Sequence, residues 1–403
     1  MSAKIAVIGL TAGGAASVPP HLVDRILGCD LLVGGARHLS YFPQFTGETL
    51  TVANNIPVVL AQVGQAHQNG DQVVVLASGD PLCYGIGSTL RRQFDPNQLD
   101  VIPAPSAFQL AFAALAEPWS DALLLSAHGR ALPDVISRLC TTEKAAVLTD
   151  SVHRPQVIAQ ALLESGVLPE SVCAVCENLG SEQQRVVRLS VAEAACHAEF
   201  AALNVFVVWN AQPRLPLAPG LPDDAFTTAA GQITKREVRL LTLAELGLST
   251  HQVMWDVGAG SGAVSIEAAR AQPTAQVFAI EKRDMFCDYI QENRQKLRAP
   301  NVCVIAGTAP AALYDLPDPH AVFIGGSGGY MQAILEHTLP RLHPGGSVVL
   351  NLVTLESLAN VRQNLPTARV NQVQIQRGKP IADALRFEAL NPVFVVTWQK
   401  ETE

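Results

Sequence analysis

The chain has 403 residues, 48% of them hydrophobic and 16% charged, with a formal net charge of −8. That composition describes globular domains, two or three at this length, and excludes a disordered or fibrous polypeptide. Its longest apolar runs, such as "AFQLAFAALA", fall short of the roughly 20 residues that span a bilayer, and the acidic balance disfavours a general grip on nucleic acid.

The chain opens on "KIAVIGLTAGG", which reads as a buried strand running into a glycine turn rather than as a signal peptide. Short β-rich runs then alternate with helical ones. "CDLLVGG", "DQVVVLAS", "LDVIPA", "ALLLSAH" and "KAAVLTD" are expected as strands. "PPHLVDRIL", "IPVVLAQVGQAHQ", "GIGSTLRRQF", "SAFQLAFAALA" and "RPQVIAQALLES" are expected as helices between them. Alternation of this kind argues α/β layers. Beyond "TDSVHRP" the style becomes hairpin-like, in "SVCAVCENL", "QRVVRLS" and "NVFVVWN", so two lobes with a break near Pro118 are expected.

Cys173 and Cys176 have the spacing of half a zinc site, but the segment reads as a strand, which puts residues three apart on opposite faces. Buried thiols are the expectation, and no metal site is assigned. Eight cysteines without regular spacing point to reduced thiols in a cytoplasm.

"NAQPRLPLAPGLPDDAF" carries Pro213, Pro216, Pro219 and Pro222, which cannot continue a helix or fill a central strand. It divides the chain into a first domain over 1–210, a proline-rich linker over 211–224 and a second domain over 225–403. After it, "ITKREVRLLTLAELGL" predicts an amphipathic helix whose start, Thr234 with Glu237, has the letters of a capping box. Strands are expected at "QVMWDVGAG", "AQVFAIEK", "NVCVIAG", "AVFIGGS", "GGSVVLNLV", "RVNQVQIQRG" and "NPVFVVTWQ", the last two adjacent. This is a doubly wound, Rossmann-like sheet with an antiparallel hairpin at one edge.

In "DVGAGSGAVSIEAA" the strand ends at Val257, and Gly258, Ala259, Gly260, Ser261 and Gly262 turn the chain into a helix. Glycines there admit close approach of a ligand to backbone, and the helix N-terminus offers free N–H groups. Glu281, at the end of the next strand, stands where a ribose diol is taken. Through Ala263 the turn also satisfies G-x-G-x-x-G/A, so a nicotinamide cofactor competes with S-adenosylmethionine. Asp256, two residues ahead of the first glycine, favours S-adenosylmethionine. After the fourth strand, "FIGGSGGY" places Gly326, Ser327 and Gly328 in an open loop suited to a large flat substrate.

The first glycine turn fails the dinucleotide pattern at Thr11. Downstream come "LASGDPLCYGIG", "PAPSAFQLAFAAL", "SAHGR", "LTDSVHRPQ" and "ENLGSEQQRV". In this order the set resembles the tetrapyrrole methylase family, a two-lobed S-adenosylmethionine-dependent fold, and "GDP" after a strand is its most specific mark. "SAHGR" and "ENLGSEQ" resemble the branch that methylates the precorrin ring at carbon 5. The C-terminal half, with "ITKREVR", "DVGAGSG", "FIGGSGG" and "NLVTLE", is similar to that branch's decarboxylating partner. The two halves together resemble the precorrin-6Y C(5,15)-methyltransferase (decarboxylating) family.

The resemblance implies two S-adenosylmethionine sites, one held by Gly79, Asp80, Pro81, Ser106 and Ala107, the other by Thr234, Asp256, the Gly258–Gly262 turn, Glu281 and Ala309. It implies methylation of precorrin-6Y at carbon 5 by the first domain and at carbon 15 by the second. The ring C acetate is decarboxylated, giving precorrin-8X in cobalamin biosynthesis. Two departures stand out: "GLTAGG" lacks the second glycine and the proline usual in the family, and Thr308 replaces an aspartate. The resemblance implies a small-molecule tetrapyrrole substrate, and its carboxylates call for local cations: His128 and Arg130 for the first site, Arg377 and Lys379 for the second. No catalytic acid or base is assigned. A homo-oligomer, a tetramer through the C-terminal domain, is also expected. The competing function is a two-headed RNA methyltransferase, which calls for a basic stripe with interleaved aromatics. An aromatic content of 5% and a pI near 5.7 argue against it.

Overall fold

The computed structural model describes residues 4–211 and 215–402, so Pro213 of the proline-rich stretch lies outside it. The chain divides into two compact units. One comprises residues up to Arg130 with Lys144–Ala159 and Glu170–Trp209; the other comprises Ala131–Glu143, Gln160–Pro169 and the residues from Asn210 onward. No helix among the described residues is long and apolar enough to cross a membrane.

The first unit holds two five-stranded sheets. In spatial order the first runs Glu48–Thr51, Leu31–Gly34, Val73–Ser78, Ile5–Leu10, Leu99–Ile102, all parallel. Ile5–Leu10 is buried at every position, the signature of a central parallel strand covered on both faces. The second sheet runs Leu123–Ser126, Lys144–Leu148, Asn204–Trp209, Val172–Glu177, Arg185–Ser190; its first pair is parallel and the rest antiparallel. The change of sheet falls between the helix ending at Leu115 and the strand starting at Leu123, bracketing Pro118. Cys173 and Cys176 lie within one strand and are both fully buried. Burial pushes their thiols up to about 12 and about 11.

The second unit carries a seven-stranded sheet ordered Val302–Ala306, Gln276–Glu281, Val253–Val257, Ala321–Ile324, Ser347–Leu352, Val393–Gln399, Arg369–Val373. The first five strands are parallel, and Val393–Gln399 runs antiparallel to both neighbours. From Val253–Val257 the chain winds outward to one side, then returns to start the other side at Ala321. The loops after Val257 and Ile324 therefore flank the point where strand order reverses, the place where open α/β sheets bind ligands.

Three local expectations are corrected. The strand expected over "RVNQVQIQRG" ends at Val373, and Gln376–Ile381 pairs instead with Ala384–Ala389 as a separate hairpin. From Gln376 the residues are Gln, Arg, Gly, Lys and Pro, which offer no apolar face for the sheet to bury. The capping box of Thr234 with Glu237 does not form. The helix begins at Arg236 after Lys235 without a side-chain cap; Asp223 Oδ1 accepts the Arg236 N–H (2.9 Å), and Glu237 pairs with Arg377. The proline-rich stretch is not a free spacer from Leu215 onward. Leu221 is buried in the core and Leu215 packs against it, the Gly220 and Leu221 N–H groups donate to Glu267 (2.6 and 2.9 Å), and Arg270 donates to the Pro216 carbonyl.

Arg239 anchors this region. Its side chain is wholly buried and meets Glu267 at 2.9 Å, Asp223 at 3.2 Å and the carbonyls of Thr234 and Leu221. A buried guanidinium is tolerated only when its donors are matched in this way.

Candidate functional site

The first unit contains a cavity of about 1040 Å³ lined by residues from both of its sheets, at the upper end of the roughly 300–1,000 Å³ usual for small-molecule sites. Gly79, Asp80, Ser106 and Ala107, all expected at a cofactor, line it together. Their turns are stacked backbone on backbone. Gly79 has φ of +58°, and a Cβ there would lie 2.9 Å from Ser106 Cα; a Cβ on Gly9 would strike the Gly79 carbonyl oxygen. Pro81 sits inside the turn, where added Cβ atoms on Gly85 and Gly87 would each come within 2.6 Å of its carbonyl. Ser106 caps the following helix reciprocally with Gln109, which fixes the helix start at the cavity wall. Asp80 Oδ1 accepts the Leu82 N–H (2.8 Å). Thr11, where the family has glycine, packs against Gly180 of "ENLG" and accepts the Gly13 N–H, so the substitution is absorbed within the turn.

His128 and Arg130, expected at the substrate, also line the cavity. Arg130 lies 5.2 Å over the Tyr84 ring, whose hydroxyl donates to the Leu124 carbonyl (2.9 Å). The sequence reading missed Arg37, His38 and Arg92 in the same lining. Arg37 donates to Ser78 Oγ (3.1 Å), and His38 Nε2 stands 2.9 Å from the same oxygen. Burial and the neighbouring Arg37 push His38 down to about 4, which favours a neutral ring at physiological pH. Ser78 immediately precedes Gly79, the one sequence signal that could have pointed to this cluster.

In the second unit Gly258, Gly260 and Gly262 have φ of +72°, +57° and +75°, the left-handed region that glycine adopts freely. Each is required for a different reason. A Cβ on Gly258 would fall 2.5 Å from the Gly326 carbonyl oxygen, and one on Gly262 would press on Ile290. At Gly260, and equally at Gly326, it would meet no protein atom within 4 Å. Gly260 N–H donates to Glu281 Oε2 (3.0 Å), while Oε1 accepts from the N–H groups of Lys282 and Arg283. Three backbone N–H groups thereby hold the Glu281 carboxylate beside the turn. These open glycines and the carboxylate fit the adenosyl and amino-acid parts of S-adenosylmethionine.

Asp256 is fully buried behind the turn. Its Oδ2 accepts the N–H and hydroxyl of Ser265, its Oδ1 has no partner, and burial pushes it up to about 7. Ser261 is buried and passes its carbonyl to Asn293; Ala309 is buried at the adjacent loop. Ala259 donates to the Ile280 carbonyl (3.1 Å), and the Thr234 carbonyl serves Arg239. Gly326 donates to the Val257 carbonyl, bringing the Gly326–Ser327–Gly328 loop beside the glycine turn. Lys282, missed in the sequence reading, places its Nζ 3.3 Å from the Cβ position of Gly328. Arg377 and Lys379 stand in the hairpin region paired with acids of the chain: Arg377 with Glu237 (2.6 Å) and Asp223 (3.2 Å), Lys379 with Glu388.

Comparison with known proteins places both halves of the chain in described families. Residues 4–195 match the family model of tetrapyrrole (corrin/porphyrin) methylases, and residues 224–400 match that of the precorrin methyltransferase domain. The chain is 34% identical over 51% of its length to a cobalt-precorrin-7 C(5)-methyltransferase of Salmonella typhimurium, 98% of which is covered. A cobalt-precorrin-6B C(15)-methyltransferase (decarboxylating) of the same organism is 38% identical over 42% of the chain, with 90% of the relative covered. A precorrin-6Y C(5,15)-methyltransferase (decarboxylating) of Sinorhizobium sp is 35% identical over 99% of the chain and 97% of the relative. Aligned from end to end at that identity, and carrying both domain models in that order, the chain belongs to the precorrin-6Y C(5,15)-methyltransferase (decarboxylating) family.

Proposed function

We propose that this protein methylates precorrin-6Y at carbon 5 in the domain of residues 1–210 and at carbon 15 in that of residues 225–403, removing the ring C acetate carboxyl as CO₂ and giving precorrin-8X. One observation carries the reading: a single chain holds two unrelated glycine turns, the first lining a large cavity and the second leaving open space at Gly260 and Gly326. Each site takes its own S-adenosylmethionine.

When bound, S-adenosylmethionine supplies an electrophilic methyl group on sulfonium. The chain's own contribution is alignment and exclusion of water, and positioning alone lowers such a barrier by roughly 7–11 kcal/mol. In the first site the stacked Gly79–Pro81 and Ser106–Ala107 turns present backbone groups to the cofactor. In the second, Glu281 accepts the ribose hydroxyls, Gly260 leaves room for close approach, and buried Asp256 fixes the turn through Ser265. The Gly326–Gly328 loop admits the flat face of the macrocycle, and Lys282 at its rim takes a carboxylate other than the one lost. The macrocycle accepts the electron pair released with CO₂, so the site needs no counter-charge at the departing carboxylate.

The enzyme works in the cytoplasm, in keeping with eight cysteines that are all free thiols. It self-associates through the second domain, where Ile381, Leu385 and Phe387 of the hairpin are 51%, 62% and 67% exposed.

Product analysis by mass spectrometry tests the assignment. Asp80→Asn should yield product lacking the carbon 5 methyl, and Gly260→Val product lacking the carbon 15 methyl and retaining the acetate. A Gly260→Val enzyme that still releases CO₂ and adds both methyls would overturn the division of labour.

A further inference from the structure

We propose that Arg37 and Arg92 bind carboxylates of the substrate in the first unit's cavity, as partners to His128 and Arg130; the inference rests on the tetrapyrrole reading above. The cavity wall is strongly asymmetric in charge. Arg37, Arg92 and Arg130 line it, and among the described residues Asp80 is the only carboxylate in the lining. The chain as a whole is acidic at −8, so this surplus runs against the average.

None of these three arginines forms an ion pair with a carboxylate among the described residues. Outside the cavity, Arg25 is held by Asp100 at 2.5 Å, Lys144 by Asp121 at 2.7 Å and Arg185 by Glu177 at 2.6 Å. Unneutralised guanidinium groups collected in one concave wall suit a ligand that brings several carboxylates of its own. A tetrapyrrole with peripheral acetate and propionate chains is such a ligand.

The two arginines are placed differently. Arg37 is tied to Ser78 Oγ (3.1 Å), the residue directly before Gly79, so a carboxylate on Arg37 stands next to the cofactor turn. His38 shares that hydroxyl at 2.9 Å, and as a neutral ring it orients the serine without adding charge. Arg92 comes from the helix Ile86–Gln93, whose preceding residues Leu82–Gly85 also line the cavity. Arg91, its neighbour on that helix, is outside the lining.

The test uses the full-length enzyme with precorrin-6Y and compares Arg37→Gln, Arg92→Gln and, as a control, Arg91→Gln. A charge-assisted pair predicts a rise in KM for carbon 5 methylation of about tenfold or more per cavity arginine. S-adenosylhomocysteine affinity should change less than about twofold, and the dependence of log KM on log salt should be shallower. Arg91→Gln should leave KM unchanged. Wild-type KM and salt dependence in both cavity variants would overturn the proposal while leaving the tetrapyrrole reading intact. Wild-type enzyme that binds S-adenosylhomocysteine but never methylates carbon 5 would instead overturn that reading. If a Gln variant loses S-adenosylhomocysteine binding, the Arg→Met variant, which keeps the apolar stem, is judged by the same KM criterion.

Discussion

Gly258 and Gly260 lie two residues apart, both with positive φ, yet substituting alanine should damage the protein in opposite ways. At Gly260 a Cβ meets no protein atom within 4 Å, so the cost to folding is the left-handed backbone alone, about 1–2 kcal/mol for a non-glycine residue. For a unit of this size that is a fall in Tm of roughly 2–8 °C. At Gly258 the same backbone cost applies, and the Cβ also falls 2.5 Å from the Gly326 oxygen and 2.8 Å from its nitrogen. Both contacts are backbone of a packed loop, so overpacking adds about 1–3 kcal/mol and the fall in Tm becomes roughly 4–20 °C. Cofactor binding should rank the other way round. Gly260→Ala inserts a methyl into open space beside the turn, so titration with S-adenosylhomocysteine should fall from about two sites per chain to about one in a protein that remains folded. Scanning calorimetry and titration calorimetry on the two variants read both quantities. A Gly260→Ala protein that keeps both sites at wild-type affinity would refute the claim that this residue faces the cofactor.

Three further outcomes follow from the geometry. Asp256 is pushed by burial from 3.8 up to about 7, so the folded state holds its proton where the unfolded chain releases it. Stability should therefore fall by up to roughly 4 kcal/mol as pH rises from 4 to 7 and level off above; urea titrations of Asp256→Asn should lack that component. Arg239→Ala leaves Glu267 buried without its cation and should cost about 3–5 kcal/mol in urea unfolding, whereas Arg236→Ala on the exposed side of the same helix should cost less than about 1 kcal/mol. Replacing Ile381, Leu385 and Phe387 together by serine should lower the sedimentation mass of the native protein while leaving Tm within a few degrees; an unchanged mass would remove the hairpin from the self-association surface.

The parts legible in the sequence were those where local chemistry has a single solution. Long apolar runs bounded by glycine turns, such as "KIAVIGL" and "QVMWDVGAG", had to be central parallel strands. "DVGAGSG" had to be a tight strand-to-helix turn, because φ is positive at three of its positions. The start of the helix was illegible because its N-cap is Lys235 rather than Thr234, and the Arg236 N–H is taken by Asp223, 13 residues upstream. The hairpin over 376–389 was missed for a related reason: Gln376–Ile381 reads as a continuation of the preceding strand, and its partner Ala384–Ala389 comes from further along the chain.

The cations divide along the same line. His128 and Arg130, which the sequence singled out in a short recognisable segment, line the cavity, while Arg37 and Arg92 lie on helices whose letters suggest nothing but solvent. What makes them notable is who is absent around them, and a linear sequence does not display which acids fail to reach a given arginine. Arg377 shows the other side: in the sequence it is one of two cations in "QRGKP", and in the fold Glu237 and Asp223 hold it. A charged residue's availability to a ligand is therefore a property of the folded charge pattern. For a substrate whose recognition rests on several carboxylates, the unpaired cations of a cavity are a better guide to binding than the cations of a motif.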